Sequence, residues 1–309
     1  MNESSMIPLP VFLMPLLRTT RIALGLAWLA AATAGAQRPL RIFISVDMEG
    51  IGGVGTPAMT ESGGKDYALA RQFMTEEVNA VVAAILRRGP ADIVVNDSHG
   101  DHQNVLHGDL DPRVQYVQGA VKPLGMVAGL DSTFDGVVFL GYHARAGSPV
   151  GFLAHTGSGI VKGLWINDVE VGEGGMNAAF AGALGVPVIV AAGDSIFTQE
   201  IKALTPGVQT VVTKVAVTPQ AARLLHPKVV RERLAAAVDR ALPTIREAQP
   251  WRTKQPVQVR MRFNDTTRPQ ILEAIPGVKQ VDGYTITYTA RDMTEAYKMI
   301  RLMYRFVTI

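Results

Sequence analysis

Short apolar runs rich in β-branched residues recur along the first half of the chain, and each ends in polar or charged residues. The runs cover 41–46, 91–96 and 137–140, and each has the length and composition of a buried strand. Between the first two lies 67–88, where apolar residues recur at helical spacing. A strand–helix–strand unit brings its two strands together in parallel. The sequence therefore predicts an α/β fold with a mostly parallel sheet flanked by helices.

Later segments add further strands and helices, and a boundary separates the last of them. Two more strands are predicted at 187–191 and 209–217, followed by a helix at 227–248. Residues 250–255 read as a boundary. The segments after it are predicted as strand 256–263, helix 267–274, strand 284–289 and helix 291–306. We therefore expect a catalytic domain over 37–250 and a smaller C-terminal α+β subdomain over 251–309.

The first 36 residues have the pattern of an export signal. Arg18 and Arg21 precede an apolar segment, 22–34, and Ala34-Gly35-Ala36 forms a small-x-small cleavage site. This order is typical of a secretory signal peptide, and the apolar segment is short for a membrane-spanning helix. We expect cleavage between Ala36 and Gln37 and a periplasmic or secreted protein without stable membrane insertion. The alternative is an uncleaved membrane anchor.

Composition excludes several classes of function. The chain has no cysteine, which rules out thiolate metal sites, a cysteine nucleophile and disulfides, although an exported protein could have used the last. The net charge is +3, and lysine and arginine do not form runs. We therefore expect no nucleic-acid partner, because such proteins carry a clustered basic surface.

The residues that follow the predicted strands are of the types that bind metals or take part in catalysis. Asp47 and Glu49 follow the first strand, Asp97 and His99 end the second, and His143 follows the third. In open α/β sheets, ligands bind beyond the carboxyl ends of the strands. Carboxylates together with imidazoles suit zinc, manganese or non-haem iron. The sequence predicts a metal site in a crevice at this edge.

Each of these residues also has an ordinary structural interpretation. Asp47 and Glu49 are alternatively solvated carboxylates that cap a strand end. Asp97 either orients an imidazole or caps a turn. A lone histidine such as His143 is more often structural, so its interpretation as a ligand depends on the other strands. His102 lies close enough to His99 in sequence to compete as a ligand.

Two further residues lie in glycine-rich surroundings. His155 belongs to the loop 147–159 and near a metal would serve as a general acid/base or a nucleophile; alone, it would be a solvated histidine. Glu173 is flanked by Gly172 and by Gly174, which suggests a close approach of the backbone to something. The alternative for Glu173 is a carboxylate stabilised at the start of a helix.

Together these motifs resemble a known family. The matching segments are Ser45–Gly50, Asn96–His99, Phe139–Arg145, His155, Ile166–Asp168 and Gly172–Ala178. In order and spacing they resemble the zinc-dependent D-aminopeptidases of the dipeptide-transport-operon type. The resemblance runs from about residue 40 to the C-terminus and is strongest before residue 195.

The resemblance implies a ligand set, a catalytic residue and an assembly. The implied ligands of a two-zinc site are Asp47, Glu49, His99, His143 and Glu173. Asp47 is the expected bridge, because one carboxylate can span two cations, and His155 matches the catalytic histidine of the family. Family members have a two-domain α/β subunit and form a decameric ring, so we expect a homo-oligomer.

The expected function is that of an exported metallo-aminopeptidase. It would hydrolyse N-terminal D-amino acids such as D-Ala from short peptides or amides, outside the cytoplasm. The predicted export signal is a difference from typical members of the family, which are cytoplasmic. Two alternatives are another metal-dependent amide or ester hydrolase on the same scaffold, and a non-enzymatic periplasmic protein that binds peptides or metal.

Overall fold

The computed structural model describes Met1, Pro8 and residues 38–306. The segment with the predicted export signal, 1–36, therefore lies almost entirely outside the described residues. From Pro39 onward the chain forms one compact unit. No helix within the described part is both long enough and apolar enough to cross a bilayer.

Strands and helices alternate along most of this unit. The strands are β1 (Leu40–Val46), β2 (Ala91–Asp97), β3 (Gln115–Val117), β4 (Gly136–Tyr142), β5 (Val161–Ile166), β6 (Val169–Glu170), β7 (Val188–Asp194), β8 (Gln209–Thr218), β9 (Ala221–Leu224), β10 (Val257–Phe263), β11 (Lys279–Asp282) and β12 (Thr285–Ala290). The helices are α1 (Tyr67–Arg87), α2 (Glu173–Ala183), α3 (Ser195–Leu204), α4 (Pro227–Ala241), α5 (Thr267–Leu272) and α6 (Met293–Arg301), which continues into a π-helical turn, Leu302–Phe306.

The larger sheet has the order β3-β2-β1-β4-β7-β8-β9. All neighbouring pairs are parallel except β8 and β9, which are antiparallel. In the centre, Val46 of β1 is in register with Asp97 of β2 and with Leu140 of β4. The predicted α/β fold with a mostly parallel sheet is therefore confirmed.

Both faces of this sheet are covered, which explains its nearly continuous apolar strands. Ile42 and Ile44 of β1 pack into a cluster with residues of α1 and α4. Phe43, between them, points to the opposite face and packs into a cluster that includes residues of α2, α6 and the second sheet. The alternation follows from the two-residue period of a strand.

The second sheet has the order β11-β12-β10-β5-β6 and is antiparallel. Along β10, buried and exposed residues alternate strictly, as expected for a sheet with one solvated face. Its strands β5 and β6 come from 161–170, joined by Asn167 and Asp168 at φ 48° and 65°, the left-handed conformation of a tight hairpin turn. The predicted boundary at 250–255 therefore does not separate the two sheets.

Several element bounds differ from the sequence-based predictions. The helix predicted over 227–248 ends at Ala241 and is followed by a 3-10 turn, Leu242–Thr244. Helix α3, β9 and β11 were not predicted. Asp194 begins α3 by accepting hydrogen bonds from the backbone N–H groups of Ile196 and Phe197, a standard N-cap.

Candidate metal centre

The ends of β1, β2 and β4 bring the predicted ligands to one edge of the larger sheet. The backbone N–H of Asp47 donates to the Leu140 carbonyl at 2.8 Å, and that of Ser98 donates to the Val46 carbonyl at 2.9 Å. These bonds prolong the register of the three strands by one residue. Residues that are distant in sequence therefore meet because parallel strands end at the same edge.

The chain turns sharply after Asp47, so Glu49 does not continue the strand. The Gly50 N–H donates to the Gly141 carbonyl at 2.7 Å, and a Cβ on Gly50 would lie 2.0 Å from the Tyr142 carbonyl oxygen. Only glycine permits this approach. Lys214, fully buried, donates to the Glu49 carbonyl and, at 2.6 Å, to the Val54 carbonyl. The backbone that carries Glu49 is thus fixed from both sides.

The imidazole of His99 presents one nitrogen to the carboxylates. Its Nε2 lies 2.8 Å from the Thr60 carbonyl, which only accepts, so Nε2 carries the proton. Its Nδ1 lies 3.2 Å from Asp47 Oδ1 and 3.0 Å from Glu49 Oε2. In the neutral ring, a lone pair would then face two carboxylate oxygens, which is the arrangement of a metal ligand with its tautomer fixed from behind.

The imidazole of His143 repeats this arrangement with its nitrogens exchanged. Its Nδ1 donates to the Ala144 carbonyl at 2.9 Å. Its Nε2 is 3.5 Å from Asp47 Oδ2 and 3.2 Å from Glu173 Oε2, yet it is buried and makes no hydrogen bond. A buried polar atom without a partner is uncommon and requires an explanation. A cation between the imidazole and the carboxylates would supply the missing partner.

Glu173, the first residue of α2, lies between His143 and His155. Its Oε1 accepts the Gly157 N–H at 2.6 Å and lies 3.6 Å from His155 Nε2. His155 Nδ1 donates to the Leu153 carbonyl at 2.8 Å, and the rings of His143 and His155 stack with centroids 4.1 Å apart. The Nε2 of His155 is therefore the free nitrogen, directed at the same site.

The glycines beside Glu173 allow close packing. A Cβ on Gly172 would lie 2.8 Å from Arg145 Cβ, and one on Gly174 would lie 2.4 Å from the Phe197 ring. The backbone does approach its neighbours closely here, and Glu173 is also in the first turn of its helix. The two interpretations of this motif from sequence are both correct.

The buried charges strongly influence one another. Burial and then Glu49 raise the pKa of Asp47 to about 8. Burial disfavours ionised Glu173, yet His143 holds its pKa at about 2. Against the effect of burial, Glu49 raises the pKa of His99 and Glu173 raises that of His143, both well above the usual range. Without a cation, the cluster depends on retained protons to balance its carboxylates.

This donor set fits a metal such as zinc. Two groups have ligand atoms within 4.8 Å of one another, namely Asp47 with Glu49 and His143, and His143 with His155 and Glu173. Nitrogen and carboxylate-oxygen ligands are those that zinc takes where thiolates are absent. The Nε2 of His143, buried among carboxylates without a hydrogen bond to them, supports the fit.

Two other candidates from the sequence have different roles. The carboxylate of Asp97 accepts hydrogen bonds from the backbone of Asn104 and Val105 and from Tyr116 Oη, so it caps a loop and, within the described part of the chain, contacts no imidazole. His102 is buried and its Nδ1 contacts the Asp97 carbonyl at 2.7 Å. Burial lowers the pKa of His102 to about 4, and among the described residues no carboxylate forms an ion pair with its ring, in contrast to His99 and His143.

The cluster opens into a cavity of about 140 Å³. Its wall includes residues that sequence reasoning did not assign to the site, namely Arg301, Tyr304 and Arg305. The sequence predicts only a helix, 291–306, for this segment. No local motif marks these residues, because only the tertiary fold brings the end of α6 against Gly157, where a Cβ would lie 2.4 Å from the Tyr304 ring.

Comparison with known proteins shows the family of this chain. A family model described as D-aminopeptidase (peptidase M55) matches residues 40–302. The D-aminopeptidase of Bacillus subtilis (strain 168) is 35% identical over 265 residues, which cover 85% of this chain and 96% of that protein. A solved structure, that of the Zn-dependent D-aminopeptidase DppA from Bacillus subtilis, a self-compartmentalizing protease, matches with a TM-score of 0.83 at 35% identity, again over 85% and 96% of the two chains. The chain therefore belongs to the D-aminopeptidase family and is a hydrolase.

Proposed function

We propose that this protein is an exported, zinc-dependent aminopeptidase that removes N-terminal D-amino acids, D-Ala among them, from short peptides or amides. The proposal rests on one observation. Two largely buried imidazoles, His99 and His143, each have one ring nitrogen held by a backbone carbonyl and the other directed at carboxylates. His155 stands beside them with a free nitrogen.

The geometry of Asp47 favours two metal ions. Its Oδ1 faces His99 Nδ1 at 3.2 Å, whereas its Oδ2 faces His143 Nε2 at 3.5 Å. A carboxylate whose two oxygens address two different ligand sets is suited to bridge two cations. We therefore propose that Asp47, Glu49, His99, His143 and Glu173 hold two zinc ions.

Bound zinc would polarise the scissile carbonyl and lower the pKa of an attacking water molecule. The chain itself supplies the proton transfer. The Nε2 of His155 takes one proton from the water as the oxygen–carbon bond forms, and it returns that proton to the amine as the carbon–nitrogen bond breaks. The backbone contact at Nδ1 keeps the ring in the tautomer that can accept.

Export and assembly belong to the same proposal. The basic and apolar segments within 1–36 support export, which would direct the enzyme to peptides outside the cytoplasm. The DppA enzyme of Bacillus subtilis is a self-compartmentalizing protease, and we propose a homo-oligomer here as well, with a decamer as the expected form. Exposed apolar side chains such as Val121 and Val217, 65% and 71% accessible, are available for contacts between subunits.

Hydrolysis of D-alanine p-nitroanilide beside its L-isomer tests the proposal. Protein beginning at Gln37 is assayed with and without a chelator, and its zinc content is measured. We expect cleavage of the D-isomer that a chelator abolishes and zinc restores. Stoichiometric zinc with no cleavage of either isomer would overturn the proposed activity. Cell fractionation with N-terminal sequencing tests export separately.

A further inference from the structure

Arg301 is a buried cation on the wall of the candidate active-site cavity. It ends α6 and is 5% exposed. Its Nη1 donates to Tyr304 Oη at 3.1 Å and its Nη2 to the Lys122 carbonyl at 3.2 Å, whereas its Nε is buried without a partner. Among the described residues, no carboxylate forms an ion pair with this guanidinium. A buried charge without a counterion is costly, so its retention calls for an explanation.

The surrounding backbone makes room for this guanidinium. Gly125 adopts φ 48°, and a Cβ there would lie 2.0 Å from Arg301 Nη1. A second cation, Lys122, lies in the same region, where its Nζ donates to Asn96 Oδ1 at 2.8 Å and to the Asp97 carbonyl at 2.6 Å. These contacts satisfy Lys122 with neutral acceptors. No described carboxylate therefore neutralises the positive charge of Arg301, which lines the cavity.

The cavity is thus lined by opposite charges. Its wall includes the carboxylates of Asp47, Glu49 and Glu173 as well as the guanidinium groups of Arg301 and Arg305. Its volume of about 140 Å³ is below the roughly 300–1,000 Å³ of pockets for drug-sized ligands. A short peptide carries complementary charges, an ammonium group at its N-terminus and a carboxylate at its C-terminus.

We propose that Arg301 binds the C-terminal carboxylate of the substrate, and that the enzyme therefore favours peptides with a free carboxyl end over the corresponding amides. A guanidinium recognises a carboxylate by two parallel hydrogen bonds. Arg305, exposed at the same wall, adds charge at the mouth of the cavity. This inference rests on the proposed aminopeptidase function and names the class of substrate.

The first test compares two substrates that differ only at the carboxyl end. Wild-type enzyme is assayed on D-Ala-D-Ala and on D-Ala-D-Ala amide. We expect kcat/KM to be about 10- to 100-fold higher for the free acid, the effect of a hydrogen bond to a charged group. Equal values for the two substrates would overturn the inference and leave the aminopeptidase function intact. Cleavage of neither substrate, nor of D-alanine p-nitroanilide, would overturn both.

Variants assign the preference to Arg301. In Arg301→Gln we expect the preference for the acid to disappear, through a higher KM for the acid and a much smaller change for the amide. Arg268→Gln is the matched control, because Arg268 also has a buried Nε without a partner but pairs with Asp265 outside the cavity. A preference retained in Arg301→Gln would contradict the assignment. If this variant does not fold, the comparison of the acid and amide substrates with wild-type enzyme still tests whether a free carboxylate is preferred.

Discussion

Two buried polar regions lie side by side at the end of β1, one neutral and one charged. Ser45 belongs to the neutral region, where Tyr297 Oη donates to Asn177 Oδ1 at 2.8 Å, and Asn177 Nδ2 donates to Tyr142 Oη at 2.9 Å. Tyr142 Oη in turn lies 2.7 Å from Ser45 Oγ, which donates to the Met126 carbonyl at 2.8 Å. Each of these side chains therefore has a partner within the region.

The charged region begins two residues later, at Asp47, and its polar groups do not all satisfy one another. It contains three buried carboxylates, and His143 Nε2 has no hydrogen-bond partner. The neutral region satisfies its own hydrogen bonds, whereas the charged region leaves the buried His143 Nε2 without one. Buried polar groups that satisfy one another favour rigidity, and groups left unsatisfied indicate where something binds.

The largest expected effect separates chemistry from cation binding within the charged region. In His155→Ala, kcat should fall roughly 10²- to 10⁴-fold, the usual contribution of general acid–base catalysis, while zinc content stays near the wild-type value. Steady-state kinetics and metal analysis of the same preparation check this. Loss of zinc together with activity would show that His155 serves chiefly as a ligand.

Removal of zinc should distinguish the two regions by stability. Zinc at about 1,000 times its Kd adds about 4 kcal/mol to the free energy of unfolding, or roughly 8–16 °C in Tm for a protein of this size. In Asp47→Asn we expect most of this gain to be lost, and in Tyr142→Phe we expect it to be retained. Calorimetry with and without a chelator measures it. An equal gain in both variants would contradict the proposed role of Asp47.

Tyr142→Phe should destabilise the protein whether or not zinc is present. The substitution leaves Ser45 Oγ and Asn177 Nδ2 without one of their partners, and an unsatisfied buried group costs about 1–3 kcal/mol. Chemical denaturation of both forms would measure this loss. A loss confined to the zinc-bound form would show that the neutral region acts through the metal site.

The smallest expected effect is on the pH dependence of the metal-free protein. Folding raises the pKa of Asp47 from 3.8 to about 8 and the pKa of His143 well above 6.5. The folded state therefore binds more protons than the unfolded state between pH 6.5 and 8, so the free energy of unfolding falls as the pH rises through this window. Glu173, with a pKa of about 2, is ionised throughout it.

We expect Tm to fall by a few degrees across this window without zinc, less in Asp47→Asn, and to rise with pH when zinc is added, because deprotonated ligands bind metal more tightly. A Tm that is constant with pH in the metal-free protein would indicate that retained protons do not compensate the charge of these carboxylates.

Much of the fold and of the candidate metal centre could be predicted from the sequence, because both depend on local sequence pattern and on where the strands end. The apolar runs before Asp47, His99 and His143 predicted a parallel sheet with chemistry at one edge, and the register of the strands brings these residues together. The place of Glu173 depended on resemblance to a family. Spacing alone could not show that the chain leaving the β5–β6 hairpin brings Glu173, at the start of α2, to the same edge.

The remainder depends on long-range packing that leaves no local signal. Arg301 lies in a segment whose pattern predicts only an amphipathic helix, and its position in the cavity arises from the packing of α6 against α2. The domain boundary at 250–255 was predicted from local sequence alone. It overlooks the pairing of β10 with β5, because strand pairing across about 90 residues cannot be read from periodicity.

The shared sheet also imposes an order on the formation of the site. Ile166 of β5 is in register with Val259 of β10, and Glu173 follows the β5–β6 hairpin directly. A chain made from its N-terminus can assemble β1, β2 and β4, with Asp47, His99 and His143, long before β10 exists. The wall that presents Glu173 and His155 gains its supporting strand only near the end of synthesis. An incomplete chain would therefore hold Asp47, Glu49, His99 and His143 without the supported Glu173 and His155, so a complete site would itself mark a finished polypeptide.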